Sequence, residues 1–107
     1  MTHAIDRLAA TIEDRKSAPA DSSWTAKMLA KGADKCAEKF GEESIEAIIA
    51  CAKNDRENLT YEAADVIYHL GVMLAARDIT LGDVMDELDR RAGVSGIAEK
   101  ASRGERT

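Results

Sequence analysis

Proline occurs once in this chain, at Pro19, and aromatic residues make up only 4 % of it. No stretch shows the alternating, β-branched pattern of a strand, so a β-rich fold is excluded. No apolar run approaches the roughly 18 residues of a membrane span. Cysteine is scarce as well: Cys36 and Cys51 stand alone, outside any CxxC or Cys/His cluster. A zinc site and a disulfide framework are therefore not expected, and the cytoplasm is the expected compartment. The start, Met1-Thr2-His3-Ala4-Ile5-Asp6-Arg7, lacks a basic segment leading into an apolar core, so no signal peptide is expected. Positive charge is also in deficit, with a net charge of −5 and a pI near 5.0. General nucleic-acid binding, which wants a basic surface, is therefore not expected. A nucleotide substrate remains compatible, because a metal ion can supply positive charge locally.

What is present is helical periodicity. The 107 residues, 45 % of them hydrophobic, suffice for one domain that buries roughly 65 % of its unfolded surface. A first helix is expected from about His3 to Ser17, with Ile5, Leu8, Ala9 and Ile12 on one face. Ser17 to Ser23 is a loop, and Ser23 is placed to cap a short helix, Trp24 to Lys31, that Gly32 ends. A long helix from Ala33 to Lys53 follows, then a turn at residues 54–58, then a helix from about Leu59, or one turn earlier, to Arg77. Thr80-Leu81-Gly82-Asp83 has the form of a capping box opening a last helix that ends near Arg91. The expected organisation is a helical domain over residues 1–93 and a polar tail over 94–107 able to contact substrate.

Four or five helices with short connections make an all-α, antiparallel bundle the expected fold. Its apolar stripes are generous: Ile45, Ile48, Ile49 and Ala52 form one, and Leu59, Ala63, Val66, Ile67, Leu70, Met73 and Leu74 another. With Val84, Met85 and Leu88 added, they exceed what one small bundle buries, so completion of the core by a homodimer is expected.

Charge is concentrated in two acidic motifs. Glu42-Glu43-Ser44-Ile45-Glu46 lies on the third helix, and Glu62-Ala63-Ala64-Asp65 begins sixteen residues after Glu46 on the fourth. A spacing of three puts two carboxylates on one helical face, one turn apart. Packing the two helices side by side would gather four or five carboxylates, and hard oxygen donors select Mg2+, Mn2+ or Ca2+. The competing reading is a solvated acidic face, with Lys39 and Lys53 merely pairing with the acids.

Lys27, Lys31, Lys35 and Lys39 recur at steps of four. Beside a metal cluster they suit a polyphosphate; without one they form a solvated stripe. His69, among apolar neighbours, reads as a hydrogen-bonded core residue. Trp24 reads first as packing for the short helix and second as a surface on which a base stacks. Both cysteines read as small buried apolar residues. Arg90, Arg91, Lys100, Arg103 and Arg106 make the C-terminal end locally basic.

Several segments together resemble phosphoribosyl-ATP pyrophosphohydrolases. They are Ser23-Trp24-Thr25, Lys31-Gly32, Lys35, Lys39-Phe40-Gly41-Glu42-Glu43-Ser44-Ile45-Glu46, Asp55 to Thr60, Glu62 to Leu70, and Ser95 to Arg103. The family belongs to the MazG-like all-α nucleotide pyrophosphohydrolases, marked by ExxE followed by ExxD. The resemblance implies a helical, commonly dimeric fold with Mg2+ held by the acids, Mn2+ being a possible substitute. It implies hydrolysis of phosphoribosyl-ATP to phosphoribosyl-AMP and pyrophosphate, the second step of histidine biosynthesis. Carried onto this chain, it makes Glu43, Glu46, Glu62 and Asp65 the metal ligands. Glu42 is the catalytic spare, either a further ligand or the acceptor of the attacking water's proton. Lys31, Lys35 and Lys39, with Lys100 and Arg103 from the tail, are the substrate contacts. The acid motifs alone fit two other readings: a MazG-like house-cleaning pyrophosphatase for free or damaged nucleoside triphosphates, and a non-catalytic helical dimerisation module.

Overall fold

The computed structural model describes residues 3–92, which form five helices and, among those residues, no strand. These are α1 (Ala4–Arg15), α2 (Trp24–Lys31), α3 (Ala33–Ala52), α4 (Arg56–Ala75) and α5 (Leu81–Ala92). The all-α fold expected from periodicity is what the chain adopts. The tail expected over residues 94–107, including Lys100 and Arg103, lies outside the described residues.

The helix ends follow their capping chemistry. Ser23 accepts a hydrogen bond from the Ala26 amide at 3.0 Å and starts α2. Asp55 accepts from the Asn58 amide at 3.2 Å, so α4 begins at Arg56, one turn before Leu59. At α5 the box is reciprocal: the Thr80 hydroxyl accepts from the Asp83 amide at 3.0 Å, and the Asp83 carboxylate from the Thr80 amide at 2.9 Å. Gly32 separates α2 from α3 at φ +97°, a backbone conformation that glycine alone adopts without strain.

Helices α3 and α4 form a hairpin across the turn after Ala52, and theirs is the most extensive contact in the molecule. α1 and α2 lie against this pair, and α5 packs on α1. The core is Ile12, Met28, Cys36, Val72, Ala75 and Leu81. Gly71 lets α1 approach α4 closely: a Cβ there would stand 2.6 Å from Ile12 Cδ1 and 3.0 Å from Leu81 Cδ1.

The two cysteines differ. Cys36 is buried and donates its thiol to the Met28 carbonyl at 3.3 Å, but Cys51 is exposed, contrary to the expectation that both are interior. Ala50, in the same last turn of α3, is buried at 1 % exposure, so Cys51 is exposed because it lies on the other side of the helix. The isoleucine stripe lies on the exposed side of α3 as well, with Ile45 58 %, Ile48 65 % and Ile49 47 % accessible.

Candidate active site

The acidic motifs meet where α3 faces α4. Carboxylate oxygens of Glu43, Glu62 and Asp65 lie within 4.8 Å of one another, one residue from α3 and two from α4. Glu43 and Glu62 are each only 9 % exposed. Charged groups so placed need compensation. Lys39, one turn before Glu43, supplies part of it, with its Nζ 3.3 Å from Glu43 and 3.8 Å from Glu42. Glu62 Oε2 receives none: it is buried and has no hydrogen-bond partner among the described residues. An orphaned carboxylate oxygen facing two more carboxylates is a donor set for a hard divalent cation.

Glu46, on the next turn of α3, is exposed and hydrogen-bonds to Glu43. That bond, together with the charges of Glu43 and Glu62, raises its carboxyl above the ordinary range. Glu43 moves the opposite way. Burial works to raise it, but the hydrogen bonds with Glu46 and Lys39 and the Lys39 charge prevail and hold it low. Lys39 is pushed up, chiefly by its bond to Glu43. Glu42 does not join the three-carboxylate cluster. It faces the other side of Lys39, at the rim of a groove.

That groove, about 230 Å³, is bordered by Trp24, Met28, Lys31, Lys35, Lys39 and Glu42. Three of the four lysines of the sequence row, Lys31, Lys35 and Lys39 but not Lys27, thus border one groove although Gly32 interrupts the helix between Lys31 and the other two. Trp24 is 49 % exposed, so packing does not consume its ring. Lys35 pairs with Glu38 at 3.2 Å, whereas Lys31 has no ion pair among the described residues.

His69 is buried at 6 % exposure, as expected of a core residue, but it lies in the field of Glu43 and Asp65. Desolvation lowers its pKa, and the nearby carboxylates oppose that only in part. Its ring meets Tyr68 edge-on, with centroids 4.8 Å apart and planes at 76°. The Tyr68 hydroxyl is hydrogen-bonded to that of Thr25, which ties α2 to α4. Sequence reasoning does not single out this link. The only signal for it is the occurrence of Thr25 and Tyr68 within two of the resemblance segments.

Fold and site together define an all-α protein whose helical hairpin brings three carboxylates together from both arms, with a lysine-lined groove beside them. A family model described as phosphoribosyl-ATP pyrophosphohydrolase matches residues 5–92, and the chain belongs to that family. It is 72 % identical to the phosphoribosyl-ATP pyrophosphatase of Rhodobacter capsulatus, over 94 % of this chain and 98 % of the relative. It is 68 % identical to that of a Cereibacter sphaeroides strain, over 94 % and 97 %. Against the Paracoccus denitrificans protein of the same description the identity is 67 %, over 92 % of each chain.

Proposed function

We propose that this chain hydrolyses phosphoribosyl-ATP to phosphoribosyl-AMP and pyrophosphate in histidine biosynthesis, as a cytoplasmic, Mg2+-dependent homodimer. The observation that carries the chemistry is the cluster of Glu43, Glu62 and Asp65 around the unpartnered Glu62 Oε2. Family membership carries the substrate. Glu43, Glu62 and Asp65 would hold Mg2+, or Mn2+ in its place, with Glu46 joining them from the next turn. A divalent cation held there would neutralise the triphosphate and make the phosphorus more electrophilic.

The chain's own residues do the rest. Lys39 stands between cluster and groove, where its ammonium offsets Glu43 and meets incoming phosphate. Glu42, outside the cluster and open to the groove, accepts the proton of the water that attacks phosphorus as the bridging P–O bond between the α and β phosphates breaks and pyrophosphate separates from phosphoribosyl-AMP. The isoleucine face of α3, left bare in the single chain, is the surface for the second copy.

Pyrophosphate release from phosphoribosyl-ATP, ATP and dUTP, each with and without Mg2+, tests this reading. Mg2+-dependent release confined to phosphoribosyl-ATP is expected, and Glu46→Gln is expected to remove nearly all of it while leaving helicity intact. Preference for ATP or dUTP would place the chain with house-cleaning pyrophosphatases. Wild-type turnover in Glu46→Gln would refute the assignment of the acids.

A further inference from the structure

Phosphoribosyl-ATP differs from ATP by a second ribose, carrying a phosphate monoester, on the adenine ring. An enzyme selecting it needs an aromatic or apolar surface for the base and a cation for the extra phosphate, at the end of the site away from the scissile bond. The groove beside the acid cluster has both. Trp24, half exposed, forms one wall, and Lys31 and Lys35 flank it. Lys39 and Glu42 close the end nearest the carboxylates. Lys35 and Glu43 are eight residues apart on α3, about 12 Å along the axis, so the groove leads away from the cluster by roughly two turns.

We infer that this groove is the specificity subsite: Trp24 stacks on the adenine ring, and Lys31, assisted by Lys35, binds the phosphate of the added ribose. This rests on the proposed phosphoribosyl-ATP activity and gives it a structural basis. Among the lysines of the groove, Lys39 is committed to Glu43 and Glu42, and Lys35 is paired with Glu38. Lys31 has no ion pair to break among the described residues, so its ammonium is available to a phosphate without loss of a contact there. Its position is also fixed. The hydrogen bond between Thr25 and Tyr68 holds α2 to the helix that carries Glu62 and Asp65, so the groove wall and the acid cluster keep a constant spacing.

The chain's single tryptophan is Trp24, which makes intrinsic fluorescence a direct reporter of the subsite. In metal-free buffer, full-length protein titrated with phosphoribosyl-AMP should show saturable quenching, with AMP binding about tenfold more weakly. In Lys31→Gln that difference between the two nucleotides should largely vanish. In the Mg2+-dependent assay, the ratio of kcat/KM for phosphoribosyl-ATP to that for ATP should fall about tenfold in Lys31→Gln, mostly through KM. Unchanged Trp24 emission at saturating phosphoribosyl-AMP overturns the assignment. So does an unchanged ratio, which would put Lys31 on the triphosphate shared by both substrates. Failure of the underlying activity looks different: the wild type would release no pyrophosphate from phosphoribosyl-ATP, while quenching by phosphoribosyl-AMP and its sensitivity to Lys31→Gln would still support the subsite.

Discussion

Replacing Glu62 with glutamine should stabilise the metal-free protein and destabilise it relative to wild type once Mg2+ is present. Two carboxylates 4.8 Å apart, the outer limit of the Glu43, Glu62 and Asp65 separations, repel by about 3.5 kcal/mol at an effective dielectric constant of ~20. Glu62 meets two such neighbours. Lys39 offsets part of this at 3.3 Å from Glu43, and water at the open side screens more, leaving a net relief of about 1–2 kcal/mol on removing one charge. The side-chain amide introduced by the substitution also places a donor where Glu62 Oε2 now has no partner. With EDTA, Glu62→Gln should therefore melt about 4–8 °C or more above wild type. Mg2+ at a hundred times its dissociation constant should add about 2.7 kcal/mol to the wild type and far less to the variant. The order of the two melting curves, recorded by circular dichroism at equal protein concentration, should then reverse. A Glu62→Gln protein that melts below wild type in EDTA, or gains as much from Mg2+ as wild type does, refutes the reasoning.

Two further outcomes follow from the geometry. Ile48, 65 % exposed at the centre of the bare stripe, should be central to the proposed dimer contact. Burial of one such side chain contributes about 1.5–3 kcal/mol, and a two-fold interface counts it twice, so Ile48→Lys should sediment as monomer where wild type sediments as dimer; equal sedimentation coefficients would contradict it. His69 should make the metal-free protein acid-sensitive. Desolvation lowers its folded pKa, so the unfolded chain takes the proton first, near pH ~6.5. Stability is complete above that pH and declines below it as protons draw the chain toward the unfolded state. His69→Asn should flatten the dependence of the melting temperature between about pH 7 and 5.5, and an unaltered slope would place the titrating group elsewhere.

How far a sequence discloses such a site depends on whether the information is local. Ser23, Gly32 and the Thr80–Asp83 box declare helix ends through bonds that span about three residues, so each end they mark is legible. The carboxylates are legible as two facing sets, because a spacing of three fixes a common face within one helix. Which members meet across the hairpin depends on the register of α3 against α4, which no spacing within either helix encodes. Glu43 enters the cluster and Glu42, about 100° around the helix, turns to the groove. The same limit misplaces Cys51. It lies fifteen residues from Cys36 and about 60° around the wheel, and the turn that holds it buries Ala50 on the inward side and leaves Cys51 exposed. Packing is the first reading of Trp24 in the sequence. However, α2 is two turns long and buries Thr25, Ala26 and Met28, so its inward face is taken by those three and the indole stays half exposed.

Gly32 carries a consequence for how this site can vary. An unbroken helix would lock the angular phase of Lys31 to that of Glu43, so any residue gained or lost between them would rotate one against the other by about 100°. The joint at φ +97° interrupts that transmission: the phase of Trp24 and Lys31 is set by the bond between Thr25 and Tyr68 and by the buried Thr25, Ala26 and Met28, not by the run of α3. The groove wall and the acids are thereby registered through α4, and a residue gained or lost at the joint need not turn one against the other about the axis of α3.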